Sequence, residues 1–225
     1  MVVHLERDLE ALKKNILNLG GKVEDSINKA ITALVDRRPD LAEEVLESDD
    51  EIDDAEVEIE EDCLKILALH QPVASDLRFI ITVLKVNNEL ERMGDQAANI
   101  ALRARFLAKN EPIETPVDLT TMVNTVQEMV HESLEALVSQ DAERARKVTD
   151  MDDEVNEAHK TMFQEIQHIM ADNTDTIERA IHTLLVSRYL ERMGDLAKNI
   201  CEDIIFLSEG EVMRHQLADS GELDI

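Results

Sequence analysis

The chain has 225 residues, of which 50 are Asp or Glu and 23 are Lys or Arg, so its formal net charge at pH 7 is −27. This charge argues against nucleic acid and anionic membranes as partners, because both are bound through clustered Lys and Arg. Hydrophobic residues make up 44% of the chain but aromatic residues only 2%, with 6 Gly and 4 Pro. Such a mixture favours helices packed through aliphatic side chains over a sheet.

Apolar residues recur every three or four positions along the first half of the chain, which is the spacing of amphipathic helices. The pattern predicts helices over 5–34, 41–66 and 83–107, with breaks at the prolines that follow the first and second. Segment 110–116 contains two further prolines and is predicted to be a linker.

Three more helices are predicted in the second half, over 118–139, 142–170 and 174–208. No segment has 18 uncharged apolar residues in a row, so we expect no membrane insertion. The first residues are amphipathic and charged and do not have the pattern of a signal peptide. We therefore expect a cytoplasmic protein.

The second half repeats the first in its letters as well as in its period. The stretch LERMGD at 90–95 recurs at 190–195, and an Ala-x-Asn-Ile stretch follows both copies. Core positions of the other helices also correspond between the halves. The sequence predicts an all-α protein of six long helices, in which a duplicated three-helix unit forms two tandem three-helix bundles. The predicted parts are a first bundle at 1–109, the linker, a second bundle at 117–216, and an acidic, disordered tail at 217–225.

The repeated motif carries a stripe of acidic residues. On a helical wheel, Glu91, Asp95 and Asn99 lie one turn apart on the face opposite the apolar seam. Carboxylates four residues apart repel each other by roughly a few tenths of a kcal/mol, and no Lys or Arg stands among them. A repulsion that is tolerated in both copies indicates a bound cation. The second copy repeats the stripe with Glu191, Asp195 and Asn199, and Asp203 extends it by one turn.

The second predicted helix is strongly acidic, with 14 acidic and no basic residues between 40 and 62. Within it, Asp49 and Asp53 lie one turn apart near the edge of the apolar stripe, where they can face the third helix. Sites made only of oxygen ligands suit hard cations such as Mg²⁺, Mn²⁺, Ca²⁺ or iron. The same helix is also a candidate docking face for a basic protein surface.

Three features together resemble the PhoU family: LERMGD with its Ala-x-Asn-Ile, the stretch QPVASDLR at 71–78, and Glu-Gly-Glu at 209–211 with Arg-His at 214–215. The resemblance covers residues 1 to about 216. It implies two three-helix bundles and no catalysis. It also implies a negative regulator of the phosphate-starvation response that links the phosphate ABC transporter, through its ATPase subunit, to a sensor histidine kinase and forms a homodimer.

The resemblance also implies bound metal ions. Some family members hold iron or zinc clusters on E/DxxxD motifs. We therefore expect divalent or ferric ions (iron, zinc, magnesium or manganese) on each bundle. Asn156 replaces an expected carboxylate, which is expected to weaken the second cluster. Carried over by position, the ligand motifs fall on Glu91 with Asp95, Glu191 with Asp195, Asp49 with Asp53, and Asp152 with Asn156.

Two other functions stay open at this point. A ferritin-like carboxylate-metal enzyme uses ExxH pairs, and Glu128/His131 and Glu165/His168 have that spacing, although both histidines lie off the apolar seams. An acidic helical scaffold without metal would carry its negative charge only for solubility.

Overall fold

The computed structural model describes residues 2–113 and 119–210, and all regular structure in these two ranges is helical. The all-α prediction is therefore confirmed. The predicted tail, residues 114–116 of the predicted linker, and residues 117–118 and 211–216 of the predicted second bundle lie outside the described residues. The helices are α1 Val2–Val35, α2 Pro39–Ser48, α3 Asp50–His70, α4 Ala74–Leu107, α5 Leu119–Ser139, α6 Ala142–Asp172 and α7 Ile177–Glu209, with a 3₁₀ turn at Thr174–Thr176 before α7.

The second predicted helix is divided into α2 and α3 at Asp49. The backbone of Asp49 keeps helical dihedral angles (φ −62°, ψ −45°), so the interruption is a single residue. Its carbonyl accepts hydrogen bonds from the N–H groups of Ile52 and Asp53. The carboxyl group of Asp49 therefore lies at the start of α3, where α3 packs against α4.

The helices form two bundles, α1 with α2–α3 and α4, and α5 with α6 and α7, as the repeat predicts. The bundles are not separate bodies, because one continuous apolar core runs through both. Helices α4 and α7 join them and run antiparallel. Lys85 Nζ pairs with Asp203 Oδ1 at 2.7 Å near one end of this contact, and the Phe106 ring stacks on His182 at 3.7 Å near the other.

The glycine of each LERMGD motif faces the preceding helix of its own bundle. A Cβ added at Gly94 would lie 3.1 Å from Cγ2 of Ile52, so the absent side chain lets α3 approach α4 closely. At Gly194 the nearest atom, Cγ1 of Val155, would be 3.6 Å away, which is an ordinary contact. No helix in the described part of the chain is both long and apolar enough to cross a membrane.

Candidate metal centres

The first cluster consists of Asp49 and Asp53 at the start of α3 and Glu91 and Asp95 on α4. The bundle brings the four together, since each pair lies one turn apart on its helix and the two helices are in contact. Within the described residues, none of the four forms an ion pair with a Lys or Arg. The cluster is therefore strongly negative. Arg92 pairs with Glu89 at 3.5 Å, and its charge only partly opposes the repulsion at Glu91.

Two carboxyl groups of this cluster have raised pKa values, as expected where carboxylates are partly buried and repel one another. Partial burial raises the pKa of Asp49, and the charges of Asp53 and Asp95 raise it further. Partial burial also raises the pKa of Glu91, again with contributions from Asp95 and Asp53. Loss of hydration and mutual repulsion both disfavour the ionised form, so a cation placed among these carboxylates would be stabilised.

The second cluster contains Asp152 and Asn156 on α6 and Glu191 and Asp195 on α7. It differs from the first because Lys198 Nζ lies 2.7 Å from Asp152 Oδ2. Asn156 Nδ2 donates to the same oxygen at 3.1 Å. Asp152 is buried, with 2% of its surface exposed, and its second oxygen, Oδ1, has no hydrogen-bond partner.

Charges in the second cluster partly compensate one another. Partial burial raises the pKa of Asp195, the charges of Asp152 and Glu191 raise it further, and Lys198 opposes them. Burial alone would lower the pKa of Lys198, but its hydrogen bond to Asp152 and the surrounding carboxylates outweigh that effect, so its pKa is raised. Lys198 therefore stays charged at neutral pH and acts as a counter-ion of the cluster.

Both clusters fit a cation, each through a different feature. The first offers four carboxylates that form no ion pair with a described residue, and the second offers the unpartnered Oδ1 of buried Asp152. In their present orientations, no three His, Cys, Asp or Glu side chains of the described residues converge closely enough to hold a metal ion. Binding would therefore require the carboxylates to rotate towards the ion.

A cleft of about 410 Å³ borders the second cluster on the outer side of α7. It combines the carboxylates of Glu191 and Asp195 with basic side chains from two helices. Its charge is therefore mixed, in contrast to the wholly acidic first cluster. The cleft is lined by Arg92, Arg188, Glu191, Arg192, Asp195, Leu196, Lys198 and Asn199.

Comparison with known proteins supports the duplication and identifies the family. The PhoU domain matches twice, at residues 16–104 and 119–204. The chain belongs to the PhoU family. It is 40% identical over 219 residues to a phosphate-specific transport system accessory protein PhoU homolog of Aquifex aeolicus, covering 97% of this chain and 99% of that protein. The homolog of Pseudomonas aeruginosa is 40% identical over 211 residues, covering 92% and 86%.

Solved PhoU structures have the same fold. The crystal structure of PhoU from Pseudomonas aeruginosa superimposes with a TM-score of 0.89 at 39% identity, covering 92% of this chain and 99% of that one. The phosphate transport system regulatory protein PhoU from Streptococcus pneumoniae superimposes with a TM-score of 0.82 at 30% identity, covering 92% and 98%. The predicted pair of tandem helical bundles is therefore the PhoU architecture.

The two PhoU repeats also differ in a polar contact beside each cluster. In the first, Asn87 Nδ2 donates to Glu56 Oε1 at 3.2 Å. In the second, His159 and Ser187 stand at the equivalent positions, with Nδ1 and Oγ 2.9 Å apart. Burial lowers the pKa of His159, and the charge of Arg188 lowers it further. A neutral imidazole therefore replaces a carboxylate, and the second cluster has fewer negative groups.

Not every residue of the predicted stripe faces a cluster. Asp95 and Asp195 are exposed, whereas Glu91 and Glu191 are half-buried. Two amides turn elsewhere, because Asn99 Nδ2 donates to the Asp95 carbonyl at 2.8 Å and Asn199 Nδ2 reaches Glu89 Oε1 at 3.5 Å. Asp203 does not extend the outer stripe: it is buried in the α4–α7 contact, where Lys85 pairs with it.

The ExxH pairs of the PhoU chain do not face a bundle interior. Glu128, His131 and His168 are all exposed. His131 Nδ1 lies 2.8 Å from Glu24 Oε1, an ion pair between α5 and α1. The arrangement expected of a ferritin-like centre, with inward histidines and carboxylates on facing helices, is therefore not formed by these pairs.

Proposed function

We propose that this chain is an accessory regulator of a phosphate-specific transport system and that it acts by binding other proteins, with no reaction of its own. In this proposal it represses the phosphate-starvation response by linking the ATPase subunit of the phosphate ABC transporter to a sensor histidine kinase. The supporting observation is the match to the PhoU family over both bundles, with relatives named as accessory proteins of that transport system.

The proposal also includes a location and an oligomeric state for the protein. ATPase subunits of ABC transporters work on the cytoplasmic side of the membrane, so the proposal places the chain in the cytoplasm. A homodimer is part of the proposal, as the family resemblance implies. Sedimentation of the purified chain at several concentrations tests it, and a monomer at every concentration would remove the dimer from the proposal.

The outer face of α3 is the proposed docking surface. It combines three carboxylates, Asp54, Glu58 and Glu61, with the apolar Val57 and Leu64, all on one side of the helix. Val57 is 50% exposed and Leu64 55%. None of the three carboxylates forms an ion pair with another described residue. A partner surface of Lys and Arg around an apolar centre would complement this face.

Charge reversal tests this docking surface. Changing its three carboxylates to Lys is expected to weaken binding to the transporter ATPase or the kinase by roughly tenfold or more at low salt. The loss should shrink at high salt, because exposed charges are screened. Glu43 is left unchanged because it already pairs with Arg105 at 2.9 Å. The matched control, with the same change of charge on exposed carboxylates of α6 that form no ion pair within the described part of the chain, is Asp150→Lys with Glu154→Lys and Asp172→Lys.

The outcome of this experiment separates two possibilities. Weaker binding by the α3 variant, with normal binding by the α6 control, supports docking at α3. Equal loss in both variants would mean that only the total charge matters. Binding that ignores both the reversals and salt would move the docking surface away from α3.

Carboxylate-bound metal ions are the second part of the proposal. A divalent or ferric ion in the first cluster would neutralise its repulsion and cross-link α3 to α4. Glu91→Ala with Asp95→Ala is expected to lower the metal content of the purified protein. The helix content should stay unchanged, since neither side chain lies in the apolar core. An unchanged metal content in this double variant would place the metal elsewhere.

The regulatory role is tested in cells. Removal of the gene is expected to leave phosphate-starvation genes expressed when phosphate is plentiful. Restoring the α6 control variant should repress them again, whereas the α3 reversal variant should not. Normal repression in cells that lack the protein would reject the regulatory role itself.

A further inference from the structure

We propose that Lys198 is the resident cation of the second cluster and that it competes with a metal ion there, so that the two clusters bind metal unequally. The first cluster is then the stronger metal site, and the second is held together mainly by the chain's own ammonium group. This inference rests on the proposed metal binding by the clusters, but its structural half can be tested without metal.

The position of Lys198 is equivalent to that of Ala98 in the first repeat. Both fall in the Ala-x-Asn-Ile stretch after LERMGD, at the variable position. The two motifs are otherwise matched in their acidic residues. This single difference therefore places an ammonium group in one cluster and a methyl group in the other.

The contact of Lys198 is made with the most buried carboxylate of either cluster. Asp152 is 2% exposed, and its Oδ2 accepts from Lys198 Nζ at 2.7 Å and from Asn156 Nδ2 at 3.1 Å. A carboxylate buried to this degree needs a cation or several hydrogen bonds to remain charged. Lys198 meets that need in the structure as it stands.

The other oxygen of the same carboxylate points to a second ligand. Oδ1 of Asp152 has no hydrogen-bond partner, and it faces the backbone of α7 at Gly194, where an added Cβ would lie 3.7 Å away. The cluster can therefore accept a further cation or donor at Oδ1. An incoming metal ion would meet a positive charge already held by the same carboxylate, which weakens its binding.

The ammonium group of Lys198 can also move away from Asp152. Lys198 therefore competes with a metal ion and does not permanently prevent it from binding. Its side chain is 27% exposed and borders the outer cleft. A long, flexible lysine side chain at such a site can turn its ammonium group into water while the stem stays packed. A metal ion that binds to Asp152 would then displace the ammonium group of Lys198 from it.

Two background variants separate the clusters for a binding test with Mn²⁺ alone. Glu91→Ala with Asp95→Ala leaves the second cluster, and Glu191→Ala with Asp195→Ala leaves the first. Adding Lys198→Met to the first background removes the charge and keeps most of the stem, and it is expected to raise Mn²⁺ affinity by about tenfold or more. Adding Ala98→Lys to the second background should lower the affinity by a similar factor. Ala98→Met is its matched control for size.

Thermal unfolding without metal tests the structural half separately. Lys198→Met is expected to lower the unfolding temperature clearly more than Lys109→Met, an equal change of charge at an exposed residue outside both clusters. Mn²⁺ should then recover part of the loss in the Lys198 variant and should have a smaller effect on the unchanged protein.

Each result decides something. Equal unfolding temperatures for the two lysine variants would overturn Lys198 as the resident cation. Equal Mn²⁺ affinity of the second cluster with and without Lys198 would overturn the competition. If neither background binds Mn²⁺ under any change at residues 98 or 198, the proposed metal binding fails, whereas the unfolding comparison still judges the role of Lys198.

Discussion

The two copies of LERMGD lie on equivalent helices, yet their carboxylates meet different neighbours. In the first bundle the charges of Asp53 and Asp95 act on Glu91, whereas in the second Lys198 opposes the charges of Asp152 and Glu191 at Asp195. In the first cluster the mutual repulsion is opposed, among the described residues, only by the charge of Arg92, which forms no ion pair with the cluster. The other is balanced by a residue of the chain itself. Duplication therefore kept the backbone of the site and changed its electrostatics.

The packing around the two glycines also differs between the sites. Gly94 is needed because the Ile52 side chain of α3 lies against it, whereas Gly194 leaves ordinary room beside Val155. The first glycine is thus packed tightly against a side chain of the neighbouring helix, whereas the second is not. The second pair has space for the Asp152 side chain beside Gly194.

The largest expected effect comes from removing one aspartate from each cluster in metal-free protein. Asp152→Ala should cost about 2–3 kcal/mol of unfolding free energy, because Lys198 and Asn156 lose their common acceptor. Asp49→Ala should be neutral or stabilising by up to about 1 kcal/mol, since it relieves repulsion with Asp53 and favours helix. Urea unfolding of both variants measures the difference. Similar losses would show that the two clusters are electrostatically alike.

A smaller contrast is expected from the two glycines. Gly94→Ala should destabilise the protein by about 1 kcal/mol, because its Cβ meets two atoms of buried Ile52 at 3.1 and 3.2 Å. Gly194→Ala should stabilise by up to about 1 kcal/mol, since alanine favours helix and the site has room. Thermal unfolding measures both. If Gly94→Ala stabilised the protein, the Ile52 side chain would have to move aside at little cost. Adding Ile52→Val to Gly94→Ala would then change the unfolding temperature little.

The helix ends could be predicted from the sequence to within four residues, because the apolar spacing is regular and the prolines mark the breaks, with one exception. Helix α4 begins at Ala74, nine residues before the predicted start at 83. The division at Asp49 was not predicted, since its dihedral angles stay helical and no Gly or Pro marks it. The shared core was not predicted either. It depends on α4 meeting α7, a long-range contact that periodicity within one helix does not encode.

The sites were predicted less completely. Sequence reasoning identified the carboxylates that the bundles bring together, and the proposal that they bind metal stays a prediction. Lys198 was not predicted, because its contact with Asp152 joins α7 to α6 and periodicity within one helix does not encode such a contact. The two repeats do carry the signal, since 90–100 and 190–200 differ at only two positions, Gln96/Leu196 and Ala98/Lys198. Sequence reasoning also placed Asp203 on an outer face, although the α4–α7 contact buries it.

The smallest expected effect is a pH dependence specific to the first cluster. Asp49 and Glu91 have raised pKa values, chiefly through partial burial and then through neighbouring carboxylates, so their charged forms destabilise the folded state at neutral pH. Asp49→Asn with Glu91→Gln should therefore stabilise metal-free protein at pH 7 by a few tenths of a kcal/mol up to about 1, since water screens both groups. In the unchanged protein these two groups contribute a gain in stability as the pH falls, because they take up protons in the folded state before they do in the unfolded state. That gain begins above the ordinary pKa values of 3.8 for Asp and 4.5 for Glu and is complete below them, so the advantage of the variant should disappear below those values.

The control is Glu47→Gln with Asp54→Asn, which changes two exposed carboxyls outside the cluster. An advantage of the same size at every pH, or one shared by the control, would contradict the strain assigned to this cluster.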